Sequence, residues 1–178
     1  MLRGELTLLR ARRPDDARIL HGDLYEDPEN WVRSDTRPWV PAPFGPGSPY
    51  WPGDDLPSAT DAAIFAVTEQ ASGDLAGEAL LWGIDLHNRC AHIGIALRPA
   101  YQGRGLGRDA VAVLCRYGFA LRGLHRLQME TLSDNAAMIA VAGRLGFTRE
   151  GVTRGSSWVD GGFADDVVFG LLAAEFRG

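Results

Sequence analysis

The sequence predicts an α+β domain built around a mixed β-sheet. Three apolar runs between residues 62 and 97 are separated by short turns, a pattern typical of an antiparallel meander. Two helical segments then alternate with one strand, and a hairpin with its turn at 160–162 completes the order. The length of 178 residues fits one domain, and no internal repeat or linker divides it.

The N-terminal elements follow from short local signals. Residues 5–12 favour an opening strand, and Pro14, Asp15 and Asp16 start a helix. Proline is tolerated in the first turn, where acidic side chains also face the positive end of the helix dipole. The helix is expected to bury the apolar side chains of Ala17, Leu20, Leu24 and Tyr25.

A segment rich in proline and aromatic residues follows this helix. Seven of the ten prolines lie within residues 38–57, which excludes a regular helix or a central strand there. A long loop inside a compact domain is usually a functional lid or a disordered segment. The aromatic side chains favour a loop that covers the substrate or contacts a second subunit, and a plain surface excursion is the alternative.

The remaining elements follow from hydrophobic periodicity and turn residues. Ser133 or Asp134 is expected to cap the second helix, which ends before Gly146. Strands are predicted at 63–68, 75–86, 91–97 and 126–131, helices at 105–121 and 133–145, and the closing hairpin strands at 147–158 and 163–172.

The composition excludes several classes of function. All 18 basic residues are arginine, so the chain lacks the lysine that a Walker-A nucleotidase or a pyridoxal enzyme requires. The net charge of −5 disfavours a general nucleic-acid binder or a polybasic membrane binder. Cys90 and Cys115 have no metal-ligand spacing, and no metal site is expected. No signal peptide or membrane span is predicted, which favours a cytoplasmic protein.

The segment from Leu97 to Arg108 carries the clearest chemical signal. Three glycines at 103, 105 and 107 lie between a strand and a helix, where successive N–H groups can converge on one concave face. The helix start adds unpaired donors and a partial positive charge, so the segment predicts a phosphate or pyrophosphate site. Residues 98–126 hold six arginines and one acid, a local charge of +5, whereas the rest of the chain carries −10.

A dinucleotide site is one alternative for this segment. The spacing from Gly105 through Gly107 to Ala110 fits a Gly-x-Gly-x-x-Ala fingerprint, with Glu130 near the place of a ribose-binding acid. The segment comes late, after a meander rather than after the first strand of a repeated βαβ sheet. This context disfavours a dinucleotide oxidoreductase.

The motifs and their order resemble the GNAT superfamily of N-acetyltransferases. Gln102, Gly105 and Gly107 match its Gln/Arg-x-x-Gly-x-Gly/Ala signature, and Asn135 and the run from 144 to 147 follow at the expected distance. The resemblance covers residues 63 to 176. The segments 150–154 and 160–166 look like the RimJ/RimL-like branch of that superfamily.

The resemblance implies a GNAT fold with about seven strands flanked by helices, and with two splayed strands forming an acyl-CoA cleft. It implies acetyl-CoA as the acyl donor, with no metal. The backbone of the splayed strand and of the glycine turn, together with one asparagine, is then expected to hold coenzyme A. These positions are Ile95, Ala96, Leu97, Gln102, Gly103, Arg104, Gly105, Leu106, Gly107, Arg108 and Asn135.

The catalytic positions depart from the family pattern. Many relatives have Ala-Glu-Ile-Gly on the pantetheine strand, with the glutamate as base, whereas this chain has His92 in that place. Histidine has an ordinary pKa of about 6.5 and can accept the proton of an attacking amine. We therefore expect His92 to be the base, with Glu78 and Asp85 on the neighbouring strand as alternatives.

The general acid is missing from its usual places. The tyrosine that the superfamily often has is Ala142 here, and the serine of the RimJ/RimL-like branch is Met138. Tyr117, Ser133 or water are the remaining candidates, and a reaction without a specific acid is another.

Together these observations predict a cytoplasmic enzyme that acetylates a primary amine by direct attack on the thioester. The acceptor is either a protein N-terminus or a small amine such as an antibiotic, a polyamine or an amino acid. The alternative is an acyl-CoA-binding module with little catalysis. Relatives are often homodimers, so a homodimer is one expectation, whereas nucleic-acid and membrane partners are not expected.

Overall fold

A mixed sheet of eight strands forms the centre of the computed structural model, which describes residues 1–51 and 61–177. The strands follow the order β1-β2-β3-β4-β5-β6-β8-β7 across the sheet. They are β1 (Leu2–Arg3), β2 (Thr7–Arg10), β3 (Ala62–Glu69), β4 (Leu75–Asp85), β5 (Cys90–Leu97), β6 (Arg126–Leu132), β7 (Thr148–Val159) and β8 (Gly162–Leu172).

Four α-helices flank the sheet: α1 (Pro14–Leu20), α2 (Pro28–Ser34), α3 (Leu106–Arg116) and α4 (Ala136–Arg144). Single π-helical turns extend two of them, His21–Tyr25 after α1 and Tyr117–Leu121 after α3. The predicted helix at 105–121 therefore exists but changes its hydrogen-bond pattern in its last five residues.

The sheet has one parallel strand pair, and this pair is incomplete. Neighbours other than β5 and β6 run antiparallel. β5 pairs with β6 only from Cys90 to His92, opposite Arg126 to Gln128. Beyond that point β5 stays paired with β4 and β6 with β8, so the two strands diverge. The predicted α+β class and its splayed cleft are confirmed.

Each face of the sheet has its own apolar core, because side chains alternate along every strand. One core joins α3 and α4 to residues such as Leu81, Ile93 and Leu127. The other joins α1, α2 and the loop after α2 to Ala66 and Leu75. We call this second side of the sheet the α1 face. The part of this face near the end of β4 is open, and Trp82 there is 44% exposed.

Three elements differ from the sequence prediction. The two-residue strand β1 raises the strand count from about seven to eight. Helix α2 was not predicted, although Asp27 caps it by accepting a hydrogen bond from the Asn30 N–H and Pro28 occupies its first turn. Helix α4 is capped by Asn135, not by Ser133 or Asp134.

The proline-rich loop packs its aromatic side chains against α1 and α2. The Trp39 indole N–H donates to the Tyr25 carbonyl at 2.8 Å, and the Tyr50 ring lies edge-on to Trp31. The described part of the loop therefore packs on the α1 face. Residues 52–57 of the predicted segment lie outside the described residues. Within the described part of the chain, no helix is long and apolar enough to cross a membrane.

Candidate active site

The gap between β5 and β6 is the first component of the site. Ile95, Ala96 and Leu97 lie on β5 beyond its last residue paired with β6, and they pair with β4 along the opposite edge. The edge of β5 that faces the gap thus carries backbone groups with no strand partner. An extended ligand with amide groups can pair with such an edge as an added strand does.

The glycine turn lies directly beyond the end of β5. Gly103 and Gly105 have φ values of +70° and +81°, which glycine adopts without the strain that a Cβ causes. The Gln102 side chain donates to the Leu97 carbonyl at 3.0 Å and ties the turn to the strand. Gly105 is the N-cap of α3 and offers no side-chain cap, so the first helical N–H groups stay available for an anion.

The arginines near this turn are less available than the sequence suggests. Arg98 pairs with Asp23 at 2.6 Å, Arg104 with Glu69 at 2.5 Å, and Arg126 with a glutamate on β7. Acids from distant segments therefore neutralise half of the six arginines counted in residues 98–126. Among the described residues, Arg108 has no carboxylate partner.

A groove of about 570 Å³ lies between α3, residues 3–5 and residues 175–177. Its lining includes Arg108, Arg116 and Arg144, together with the C-terminal residues Phe176 and Arg177. The structure thus brings Arg108 and Arg144 to one surface.

Asn135 lies where β6 ends and α4 begins. Its side-chain oxygen accepts from the Met138 N–H at 3.1 Å, and its amide donates to the Thr131 hydroxyl at 2.9 Å. These contacts make Asn135 a helix cap beside the open end of the gap.

Of the candidates for a general acid, Ser133 is exposed in the connection between β6 and α4, and Tyr117 lies apart from the α1 face. The Tyr117 ring packs edge-on against Phe65 in the α3 core, and its hydroxyl accepts from Arg122 at 3.1 Å. The Met138 side chain also packs against this core. Neither residue faces the open part of the α1 face.

His92 occupies the point at which β5 and β6 diverge. It is the last β5 residue paired with β6, opposite Gln128, and its side chain is 29% exposed. Its Nδ1 lies 3.1 Å from Oε1 and 3.2 Å from Oε2 of Glu130 on β6. The imidazole stacks on the Trp82 indole with ring centroids 4.3 Å apart.

Glu78 lies on the same face but belongs to a different cluster. Its carboxylate is 3.3 Å from an Arg12 guanidinium nitrogen. Burial raises the pKa of Glu78, although Arg12 and the Tyr50 hydroxyl oppose this shift. Glu78 pairs with Ala96, whereas His92 pairs with Trp82, so four residues of strand, about 13 Å, separate Glu78 from His92.

The other alternative base, Asp85, caps a turn. It is the last residue of β4, is half-buried, and accepts from the backbone N–H and the side-chain amide of Asn88. Hydrogen bonds from Asn88 hold the pKa of Asp85 below its ordinary value. In the structure, therefore, neither of the alternative bases, Glu78 and Asp85, lies beside His92.

Sequence reasoning missed the partners of His92. Glu130 entered only as a candidate ribose-binding acid, and Trp82 was not considered. Alternation along β6 places Gln128 and Glu130 on one face. The sequence does not predict the β5–β6 pairing register that brings these side chains beside His92. Within residues 1–51 and 61–177, no cluster of three or more His, Cys, Asp or Glu side chains has an arrangement suited to a metal ion.

Comparisons with known proteins agree with this geometry. A family model described as an acetyltransferase (GNAT) domain matches residues 6–148. A putative ribosomal N-acetyltransferase, YdaF of Bacillus subtilis, is 33% identical over 106 residues, which cover 60% of this chain and 58% of the relative. The spermidine N(1)-acetyltransferase of Escherichia coli is 29% identical over 98 residues, covering 55% of this chain and 53% of that protein. The chain thus spans little more than half the length of these two relatives.

One solved structure shares the fold along nearly its whole length. The crystal structure of spermidine N-acetyltransferase from Vibrio cholerae, in complex with CoA and spermine, superposes with a TM-score of 0.79 at 20% sequence identity. The match covers 96% of this chain and 97% of that one. At this identity the likeness concerns the fold.

Proposed function

The chain belongs to the GNAT acetyltransferase family, whose members transfer an acetyl group from acetyl-CoA to an amine. We propose that its acceptor is a small cationic amine and that His92 is the catalytic base. The observation that carries the proposal is the position of His92 at the divergence of β5 and β6. A thioester held between these strands lies beside the imidazole.

The donor is acetyl-CoA. The pantetheine arm enters the gap and pairs with the backbone of Ile95 and Leu97, while the pyrophosphate meets the N–H groups of Gly103 to Arg108. The two positive-φ glycines and the uncapped start of α3 support this placement. Arg108 and Arg144 line the groove along α3, which supports a contact of these arginines with the remaining phosphate.

The reaction is direct transfer. The amine loses a proton to His92 and its nitrogen attacks the thioester carbonyl carbon, so a C–N bond forms and the C–S bond breaks. Backbone N–H groups on the edge of β5 stabilise the developing oxyanion. Solvent protonates the departing thiolate, because Ala142 and Met138 occupy the places of the usual acids.

The acceptor is an elongated amine with a second cationic group. A hollow of about 280 Å³ lies between α2 and the β7–β8 turn, lined by Glu29, Asp160, Val32 and Trp158. The Glu29 carboxylate and the Trp158 indole suit an alkylammonium ion, whereas the Asp160 carboxylate lies 3.8 Å from an Arg33 guanidinium nitrogen. Glu130 pairs with Val168 on β8, six residues, or about 20 Å, from the start of β8 beside the hollow. The similarity to a spermidine acetyltransferase supports an acceptor with more than one cationic group.

A peptide N-terminus in the manner of the RimJ/RimL-like branch is the second candidate acceptor. The sequence of the closing hairpin and the 33% identity to a putative ribosomal N-acetyltransferase favour it. The two acceptors differ in the group attached to the reacting amine, which is a second cation in one and a peptide chain in the other. A panel of amine and peptide substrates therefore distinguishes them.

The test measures thiol release from acetyl-CoA with a polyamine, a diamine, a monoamine and an N-terminal peptide. The first proposal expects kcat/KM to be highest for the polyamine and to fall for the monoamine. His92→Ala should lower kcat by roughly 100-fold or more while acetyl-CoA binding persists. His87→Ala, in the exposed β4–β5 turn, is the matched control. A His92→Ala enzyme with wild-type turnover and pH profile contradicts the assignment, and tight CoA binding without release on any acceptor favours the binding module.

Three further expectations accompany this function. Residues 1–178 form one acetyltransferase domain, which the continuous sheet from β1 to β8 supports. The protein is cytoplasmic, as fits a reaction that uses acetyl-CoA. A homodimer stays a prediction, and light scattering coupled to size-exclusion chromatography tests it.

A further inference from the structure

We infer that Glu130 is a positioning residue that fixes the tautomer of His92, so that Nε2 accepts the proton of the attacking amine. This inference rests on the proposed role of His92 as base. It assigns to Glu130 a function through the histidine rather than a contact with either substrate.

The carboxylate of Glu130 is held in place from its own strand. The Gln128 amide donates to Glu130 Oε1, and the Gln128 oxygen in turn accepts from Arg126 at 2.9 Å. Arg126 is fixed by a bidentate pair with Glu150 on β7, at 2.6 and 2.5 Å. A chain of side chains two residues apart along β6 therefore ends at the imidazole of His92.

The ionised carboxylate determines which ring nitrogen carries the proton. The pKa of Glu130 lies below its ordinary value: burial raises it, but hydrogen bonds from His92 and Gln128 outweigh burial. A carboxylate can only accept hydrogen bonds, so Nδ1 must be the N–H donor. Neutral His92 then carries its lone pair on Nε2, the form that a base requires.

The rest of the pocket fixes the plane of the ring. The indole of Trp82 stacks on the imidazole at an interplanar angle of 26°. At Gly83, where φ is +57°, an added Cβ atom would come within 3.3 Å of His92 Cδ2 and 4.0 Å of Nε2. A side chain at this position would crowd the edge of the ring that carries Nε2. The glycine thus keeps access to Nε2 open on the β4 side, while Glu130 holds Nδ1 on the β6 side.

The experiment is a double-mutant cycle with a spectroscopic readout. Glu130→Gln keeps the shape of the side chain and removes its charge, and it is compared in the wild-type and His92→Ala backgrounds. We expect Glu130→Gln to lower kcat by roughly 10–100-fold in the wild-type background and less than about 2-fold in the His92→Ala background. The KM for acetyl-CoA should stay unchanged. Asp15→Asn, at an exposed residue in the first turn of α1, controls for net charge.

Nitrogen-15 NMR of the labelled imidazole reports the tautomer directly. In the wild type, Nδ1 should have the shift of a protonated nitrogen and Nε2 that of an unprotonated one, and Glu130→Gln should produce a mixture. A loss from Glu130→Gln that persists in the His92→Ala background overturns the inference, as does an unchanged tautomer. Full activity of His92→Ala refutes the proposed base itself, a different failure that the tautomer measurement distinguishes.

Discussion

A single carboxylate, Asp109, joins the first turn of α3 to the N-terminal segment. It accepts hydrogen bonds from the backbone N–H groups of Glu5, Leu6 and Thr7 at 2.9, 3.1 and 2.8 Å, and from the Thr7 hydroxyl at 2.6 Å. Burial raises the pKa of Asp109, but these hydrogen bonds outweigh burial and hold it below its ordinary value. The residue thereby anchors the start of α3, where we propose that the donor phosphates bind.

Asp109→Asn should lower the free energy of unfolding by about 1–3 kcal/mol near neutral pH, because an amide replaces a charged acceptor of four donors. A depressed pKa contributes stability above the ordinary aspartate value of about 3.9, and this contribution is lost as pH falls through the folded-state pKa. The difference between wild type and variant should therefore shrink below about pH 4. Urea denaturation from pH 3 to 7 measures it, and a difference independent of pH contradicts the assignment.

Residue identities predict the base but not its partner. His92 is predicted as the base because it replaces a glutamate of the family pattern. Glu130 is not predicted as its partner, because this partnership depends on where β5 and β6 pair and where they part. Asn135 shows the converse: its position was predicted, whereas its cap on α4 and its bond to Thr131 are visible only in the structure.

Among the elements, the glycine turn and α3 were predictable because glycine spacing and helical periodicity are local signals. The same locality explains why α2 was missed. Its cap Asp27 and Pro28 are valid start signals, but they stand next to a proline-rich segment, and the seven-residue helix gains its stability from Trp31 packing on α1 residues.

Two glycine-to-alanine substitutions test the turn at the scale of the element. Gly105→Ala should lower the free energy of unfolding by about 1–2 kcal/mol, because alanine is strained at a φ of +81°. It should also raise the KM for acetyl-CoA, since the N–H groups of the turn no longer converge. Gly143→Ala is the control: in α4 an added Cβ meets nothing within 4 Å, so the helix should gain about 0.5–1 kcal/mol. Equal effects of the two substitutions on KM argue against a role of the turn in donor binding.

Across the whole molecule, folding changes the charge distribution read from the sequence. The segment 98–126 carries +5 in the sequence, yet Asp23, Glu69 and Glu150 come from three other parts of the chain to pair with its arginines. No local signal predicts such pairs, because they depend on tertiary contacts. The proposed phosphate site therefore rests more on backbone N–H groups and on Arg108 than on net positive charge.

The proposed donor site draws on β5, β6 and α3, so acetyl-CoA should stabilise the whole fold. At 100 times its Kd a ligand adds about 2.7 kcal/mol, which for a domain of this size raises the Tm by roughly 5–10 °C. His92→Ala should keep this shift, because the proposed base lies outside the donor contacts, whereas Gly105→Ala should reduce it at the same ligand concentration.

ADP should shift the Tm less than CoA, because it lacks the pantetheine arm that is proposed to bridge the two strands. Differential scanning calorimetry measures the Tm shift for each ligand and each variant. An equal shift from ADP and CoA contradicts pantetheine binding between β5 and β6.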